Sequence, residues 1–115
     1  MISSVLGSQH AQPIDGVYTA ESVEKVVNGL RGNPKPVYPP SLAASYIEGT
    51  LLVRFVVDST GRVQDKSVEF PGKAHPLFVD AVRRALLRSR YLPAEVDGRR
   101  VAQLVSQEFV FRMGR

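Results

Sequence analysis

The stretch from Thr50 to Arg62, TLLVRFVVDSTGR, decides how this chain folds. Leu51, Val53, Phe55 and Val57 fall on one face of an extended segment, and Leu52 and Val56 fall on the other. With apolar side chains on both faces, the strand is expected at the centre of a sheet, at least partly buried on each side. Asp58-Ser59-Thr60-Gly61 supplies a tight reversal in which Gly61 takes a positive φ, and a second strand is expected from Arg62 to about Phe70. Val63 has the opposite parity to Val68 and Phe70. One continuous pleat cannot bury all three, so a bulge or one outward valine is expected there.

Downstream, Pro76 opens a helix expected to run to Tyr91, with Phe78, Val82, Ala85, Leu86 and Ser89 in one apolar stripe and Pro93 beyond its end. Arg83, Arg84, Arg88 and Arg90 lie mainly off the stripe, toward the end where cations favour the macrodipole, and Asp80 is placed to pair with Arg84. After Asp97-Gly98 comes a long last strand, VAQLVSQEFVFRM, with Val101, Val105, Phe109, Phe111 and Met113 on one face. Phe55 and Phe111 should meet Phe78 and Val82. The fold class is therefore α+β: a ββαβ, three-stranded antiparallel sheet of order 2-1-3 with one long helix packed on one face.

Upstream, Pro34, Pro36, Pro39 and Pro40 fix their own φ and restrict their predecessors, so Asn33 to Tyr38 must run extended as a rigid strap. Pro39 and Pro40 then open a short helix through Leu42, Ala43 and Tyr46, closed by Gly49. Val23, Val26, Val27 and Leu30 repeat at i, i+3, i+4 and i+7, which predicts a short helix capped by Thr19. Residues 1–16 read as a flexible lead-in or linker remnant and residues 17–115 as the domain.

The remaining composition narrows the function. With 115 residues, 43% hydrophobic and 23% charged, the chain supports one ordinary globular core. It has no cysteine, which excludes disulfides, zinc-thiolate sites and cysteine nucleophiles. No apolar run reaches the roughly 20 residues of a membrane-spanning helix, and the first dozen residues lack a signal-peptide pattern, so any export signal is expected outside this chain. His10 and His75 have no ligand-type neighbours at metal-binding spacing, and no G-x-S-x-G or phosphate-cradling glycine motif occurs. No catalytic residue, metal or cofactor is expected, and His75 is assigned to capping a turn. Residues 83–115 hold eight Arg against three acids, and this basic third could meet an acidic protein, a lipid surface or nucleic acid through Arg83, Arg84, Arg88, Arg99 and Arg100.

One feature of the sheet points to a partner. The second strand guards its edge with Asp65, Lys66, Glu69 and Pro71, whereas the last strand is longer than its neighbour and carries uncharged Gln103, Ser106 and Gln107. Such an overhang suits an extended peptide added by main-chain hydrogen bonds, and a second copy of the chain could use the same edge.

Several marks in this order resemble the C-terminal domain of the TonB energy transducers of Gram-negative envelopes. They are Tyr38-Pro39 before a short helix, Glu48-Gly49 opening the first strand, Val57-Asp58 with Gly61-Arg62-Val63 at the hairpin, Arg90-Tyr91-Leu92-Pro93-Ala94 closing the helix, and Phe109-Val110-Phe111 at the end. The resemblance runs from about Val17 to Arg112. It implies a non-catalytic periplasmic module that grips the N-terminal box of an outer-membrane TonB-dependent transporter by strand addition and passes on energy for uptake. It also implies an inner-membrane anchor and a proton-driven motor complex, reached through segments not in this chain. Carried over by position, the partner-binding residues are Gln107, Glu108, Phe109, Val110, Phe111 and Arg112 on the strand, with Asn33, Pro34, Lys35, Pro36, Val37 and Tyr38 on the strap. The approach to Tyr38-Pro39 lacks the family's glutamine. The alternatives are a basic nucleic-acid-binding domain, or a TonB-like interaction domain of an envelope sensor or other non-transducer protein.

Overall fold

A computed structural model describes residues 13–114; residues 1–12 of the expected lead-in lie outside it. Its elements are β1 (Val17–Tyr18), β2 (Asn28–Gly29), α1 (Pro40–Ala44), β3 (Gly49–Val57), α2 (Pro76–Arg88), β4 (Tyr91–Leu92), β5 (Ala94–Val96) and β6 (Arg99–Phe111). β3 and β6 pair antiparallel without a break in register, from Gly49 opposite Phe111 to Val57 opposite Gln103. α2 lies across one face of this ribbon. Val53, Phe55, Val57 and Val82 are wholly buried, Leu51 and Leu86 nearly so, and the Phe78 and Phe111 rings stack at 4.3 Å between centroids. The expected meeting of Phe55, Phe111 and the helix stripe is therefore present as one apolar cluster.

The α+β class stands, but the sheet is built differently from the expected 2-1-3 order: the path is β1-β6-β3, with β5 also paired to β6. The segment after Gly61 is not a continuous strand. Its backbone pairs with β3 at isolated bridges, between Val57 and Val63 and between Arg54 and Glu69, with a 3-10 turn at Asp65–Ser67 between them. The parity conflict explains this. The turn resets the alternation so that Val68 is buried while Val63 and Phe70 both pack against the core. Ser67 replaces the lost ladder bond, its Oγ accepting from the Val56 N–H at 2.8 Å.

Three further expectations change. Residues 19–30 form no α-helix but a 3-10 turn at Ala20–Ser22 followed by extended chain. β-branched valines disfavour a helix, and the backbone here finds better partners: Lys25 bridges Glu95, and the Val27 N–H donates to Gln103 Oε1 at 2.9 Å. α2 stops at Arg88, short of Tyr91, because Arg90 to Leu92 pair with Arg62, Asn28 and Gly29. Buried Ser89 closes it, its Oγ donating to the Ala85 carbonyl. β5 was not expected as a strand, although Asp97 and Gly98, at φ of 53° and 74°, make the two-residue turn that an Asp-Gly pair favours. The outer face of β3 is covered at Val56 but open at Leu52, since no second layer lies there.

His75 caps α2 as expected, Nδ1 accepting from the Leu77 N–H at 3.1 Å. At the end of α1, Tyr46 occupies the left-handed position of a Schellman-type cap at φ 56°, with Ile47 N–H donating to the Leu42 carbonyl and Tyr46 N–H to that of Ala43. Its side chain is 79% exposed. Tyr46→Gly is therefore expected to stabilise the domain by about 1 kcal/mol, because the strain of a Cβ at positive φ outweighs what so exposed a ring contributes. That corresponds to a rise of roughly 4–8 °C in Tm, measured by thermal melting. An unchanged or lower Tm would show that the ring has a stabilising role.

Candidate functional site

The free edge of β6 follows from hydrogen-bond parity. Arg54 exchanges both backbone bonds with Glu69, at 2.9 and 2.8 Å, so its N–H and C=O face away from β6. Val56 does the same, its carbonyl accepting from Gln64 N–H and its N–H meeting Ser67. In an antiparallel ladder, residues directly opposite share this property. Leu104 and Ser106 therefore point their backbone groups outward, and the unbroken register extends the pattern to Glu108 and Val110. On that outer side β1 covers only Ala102 and Gln103, in parallel. Among the described residues, no backbone group pairs with Ser106, Glu108 or Val110 on this edge.

The proline-rich strap runs beside the edge, between it and α2. Tyr38 pins one end: its ring meets Phe111 edge-on at 5.4 Å and Phe78 at 5.8 Å, and its hydroxyl donates to the Ile47 carbonyl. Desolvation, helped by the Glu48 carboxylate, raises the Tyr38 phenol above its ordinary pKa. Asn33 pins the other end by imitating a strand: Nδ2 donates to the Arg90 carbonyl and Oδ1 accepts from the Arg90 N–H, both at 2.8 Å. The end of β6 is held by Glu48, whose Oε2 accepts from the Met113 N–H at 2.8 Å.

Most of the residues singled out from the sequence come together here. A cleft of about 350 Å³ is lined by Lys35, Pro36 and Tyr38 from the strap and by Glu108 to Arg112 from the strand. A second, of about 370 Å³, joins Asn33 to Pro36 with Gln107, Phe109 and the flank of α2. Val37 stands apart, turned toward the helix in a third groove. The Asn33 amide is committed to Arg90 on both sides, so its part is to hold the strap. Ser106, named in the sequence as an uncharged residue of the open edge, takes its place there opposite Arg54. Leu30 and Tyr91 in the second cleft could not be found from the sequence, because their nearness to Phe109 depends on the β2–β4 pair.

No group of His, Cys, Asp or Glu suited to a metal ion occurs among the described residues, and no described helix is long and apolar enough to cross a membrane. Three arginines of the basic third are already engaged: Arg83 pairs with Asp65 at 3.3 Å and lies over Phe70, Arg84 pairs with Asp80 at 3.0 Å, and Arg90 donates to the Ser89 carbonyl.

Fold and edge define the class: a two-layer α+β domain whose long last strand, among the described residues, leaves Ser106, Glu108 and Val110 unpaired on one side beside a proline-rich strap. Residues 34–113 match the family described as Gram-negative bacterial TonB protein C-terminal, and the chain belongs to that family. It is 34% identical over 89 residues to Protein TonB of Pseudomonas aeruginosa, which covers 76% of this chain and 25% of that protein. The chain thus spans a quarter of the length of this curated relative. The solution NMR structure of the P. aeruginosa TonB C-terminal domain superposes with a TM-score of 0.64 at 30% identity, covering 77% of this chain and 88% of that one.

Proposed function

We propose that this domain is the partner-gripping end of a TonB-type energy transducer. It acts in the periplasm, is tied to the inner membrane and a proton-driven motor through segments beyond this chain, and engages the N-terminal box of an outer-membrane transporter. The observation that carries the reading is the row of outward backbone groups at Ser106, Glu108 and Val110 beside a strap-walled cleft. Strand addition gives affinity through the main chain, and alternate side chains of the added peptide enter the clefts on the helix side. The family membership supports the transducer role. Lys35 and Arg112 at the cleft speed the approach of an acidic peptide, an effect that fades with salt. The domain works by holding and pulling, not by catalysis.

Amide NMR with N-terminal transporter peptides from the same source tests this. The largest shifts are expected from Ser106 to Arg112, with smaller ones along 33–38. Shifts that spare the strand, or that spread evenly over the domain, would overturn strand addition.

A further inference from the structure

The strap has a second side. Away from β6 it forms a groove of about 270 Å³ with α2, lined by the apolar Pro34, Val37, Ala81 and Ala85, of which Ala85 is buried, and by the cations Lys35, Arg84 and Arg88. No carboxylate lines it. Lys35 and Arg88 have no ion pair among the described residues, and Arg84 has only the exposed Asp80. Arg84 and Arg88 stand one helical turn apart, about 6 Å along the axis, so they present their guanidinium groups to one side. Its strap wall carries an exposed apolar residue, Val37, at 74% exposure.

We propose that this groove is a second docking surface, which takes an acidic protein segment on the helix side of the strap and shares only Lys35 with the strand-edge cleft. Charge selects the occupant: three cations with one weak competitor favour a chain bearing several carboxylates, to which arginine offers paired N–H donors. Shape favours a protein segment over a lipid surface, because the cations and apolar residues line a concave groove into which an extended chain descends and a flat headgroup layer does not. Asp80 acts as an internal competitor by occupying Arg84 until the partner's carboxylate displaces it.

The probe is capped hexaglutamate, followed by NMR of backbone amides and arginine Nε–H groups at low and physiological salt. Shifts are expected at Val37, Ala81, Arg84 and Arg88. Replacing two exposed charge contacts in Arg84→Gln/Arg88→Gln should weaken binding by about fivefold, and Asp80→Asn should tighten it. Val110→Pro should leave it unchanged, so that loss of strand addition and loss of groove binding are told apart. The proposal is overturned if no shift appears at low salt or if Arg99 and Arg100 respond as strongly, which would mark diffuse attraction. It is overturned also if Asp80→Asn has no effect, or if only phosphatidylglycerol vesicles elicit the shifts.

Discussion

Val110→Pro is expected to fold and to lose docking of the transporter peptide by about tenfold or more, since it removes an edge hydrogen bond and sets a ring where the added strand must lie. The expectation rests on parity. Val110 sits opposite Thr50 in a pair whose backbone groups face away from each other, so proline there leaves the β3–β6 ladder whole, and proline is tolerated where its missing N–H faces the open side of an edge. Phe109→Pro one residue earlier breaks a bond to Leu51 and disturbs the Phe109 side chain packed on the core. It should cost about 3 kcal/mol or more of stability. Val110→Lys keeps the N–H and should weaken docking less than proline does. Titration calorimetry with thermal melts of all three variants checks the set. Undiminished binding by Val110→Pro would place the partner elsewhere.

Gly61→Ala is expected to destabilise the domain by about 3 kcal/mol or more, or to prevent folding, from two causes that add. Gly61 has φ +89°, and a Cβ there would lie 2.1 Å from the Tyr91 carbonyl oxygen, a backbone atom with no room to retreat because Tyr91 N–H already donates to the Gly61 carbonyl. Gly98→Ala isolates the first cause, since Gly98 has φ +74° with nothing within 4 Å of the added carbon. It should cost only about 1 kcal/mol. Denaturant unfolding of the two variants separates conformational strain from collision, and equal losses would refute the close approach at Tyr91.

Why Gly61 is indispensable shows where sequence reading reaches its limit. Its positive φ was legible from Asp58-Ser59-Thr60-Gly61, and the structure adds Asp58 Oδ1 accepting from the Thr60 N–H, the Thr60 hydroxyl and the Arg62 N–H. Partial burial acts to raise the Asp58 pKa, but these bonds outweigh it and leave the carboxyl below its ordinary value. The turn is complete within five residues, so local chemistry suffices to read it. The contact with Tyr91, thirty positions away, follows only from how α2 returns the chain.

The same division holds throughout. Period-two alternation in Leu51 to Val57 and in the last strand, the proline-opened α2 with its stripe, and the strap between Asn33 and Tyr38 were written in the sequence because each depends on neighbours a few residues apart. The valines of residues 23–27 were misread because their spacing satisfies a helix while their backbone is claimed by Glu95 and Gln103. The broken strand after Gly61 showed in the sequence only as a conflict of parity, and the 3-10 turn that resolves it answers to the core around Phe55. An open edge on the last strand was legible from its uncharged polar residues, but the overhang read from strand lengths is filled by β5 at Arg99 to Val101, and the free edge lies instead on the outer side of the stretch that β3 matches. Which of its residues turn their N–H groups outward was decided by the bond between Arg54 and Glu69, since direction in a ladder is fixed by the partner and not by the residue itself.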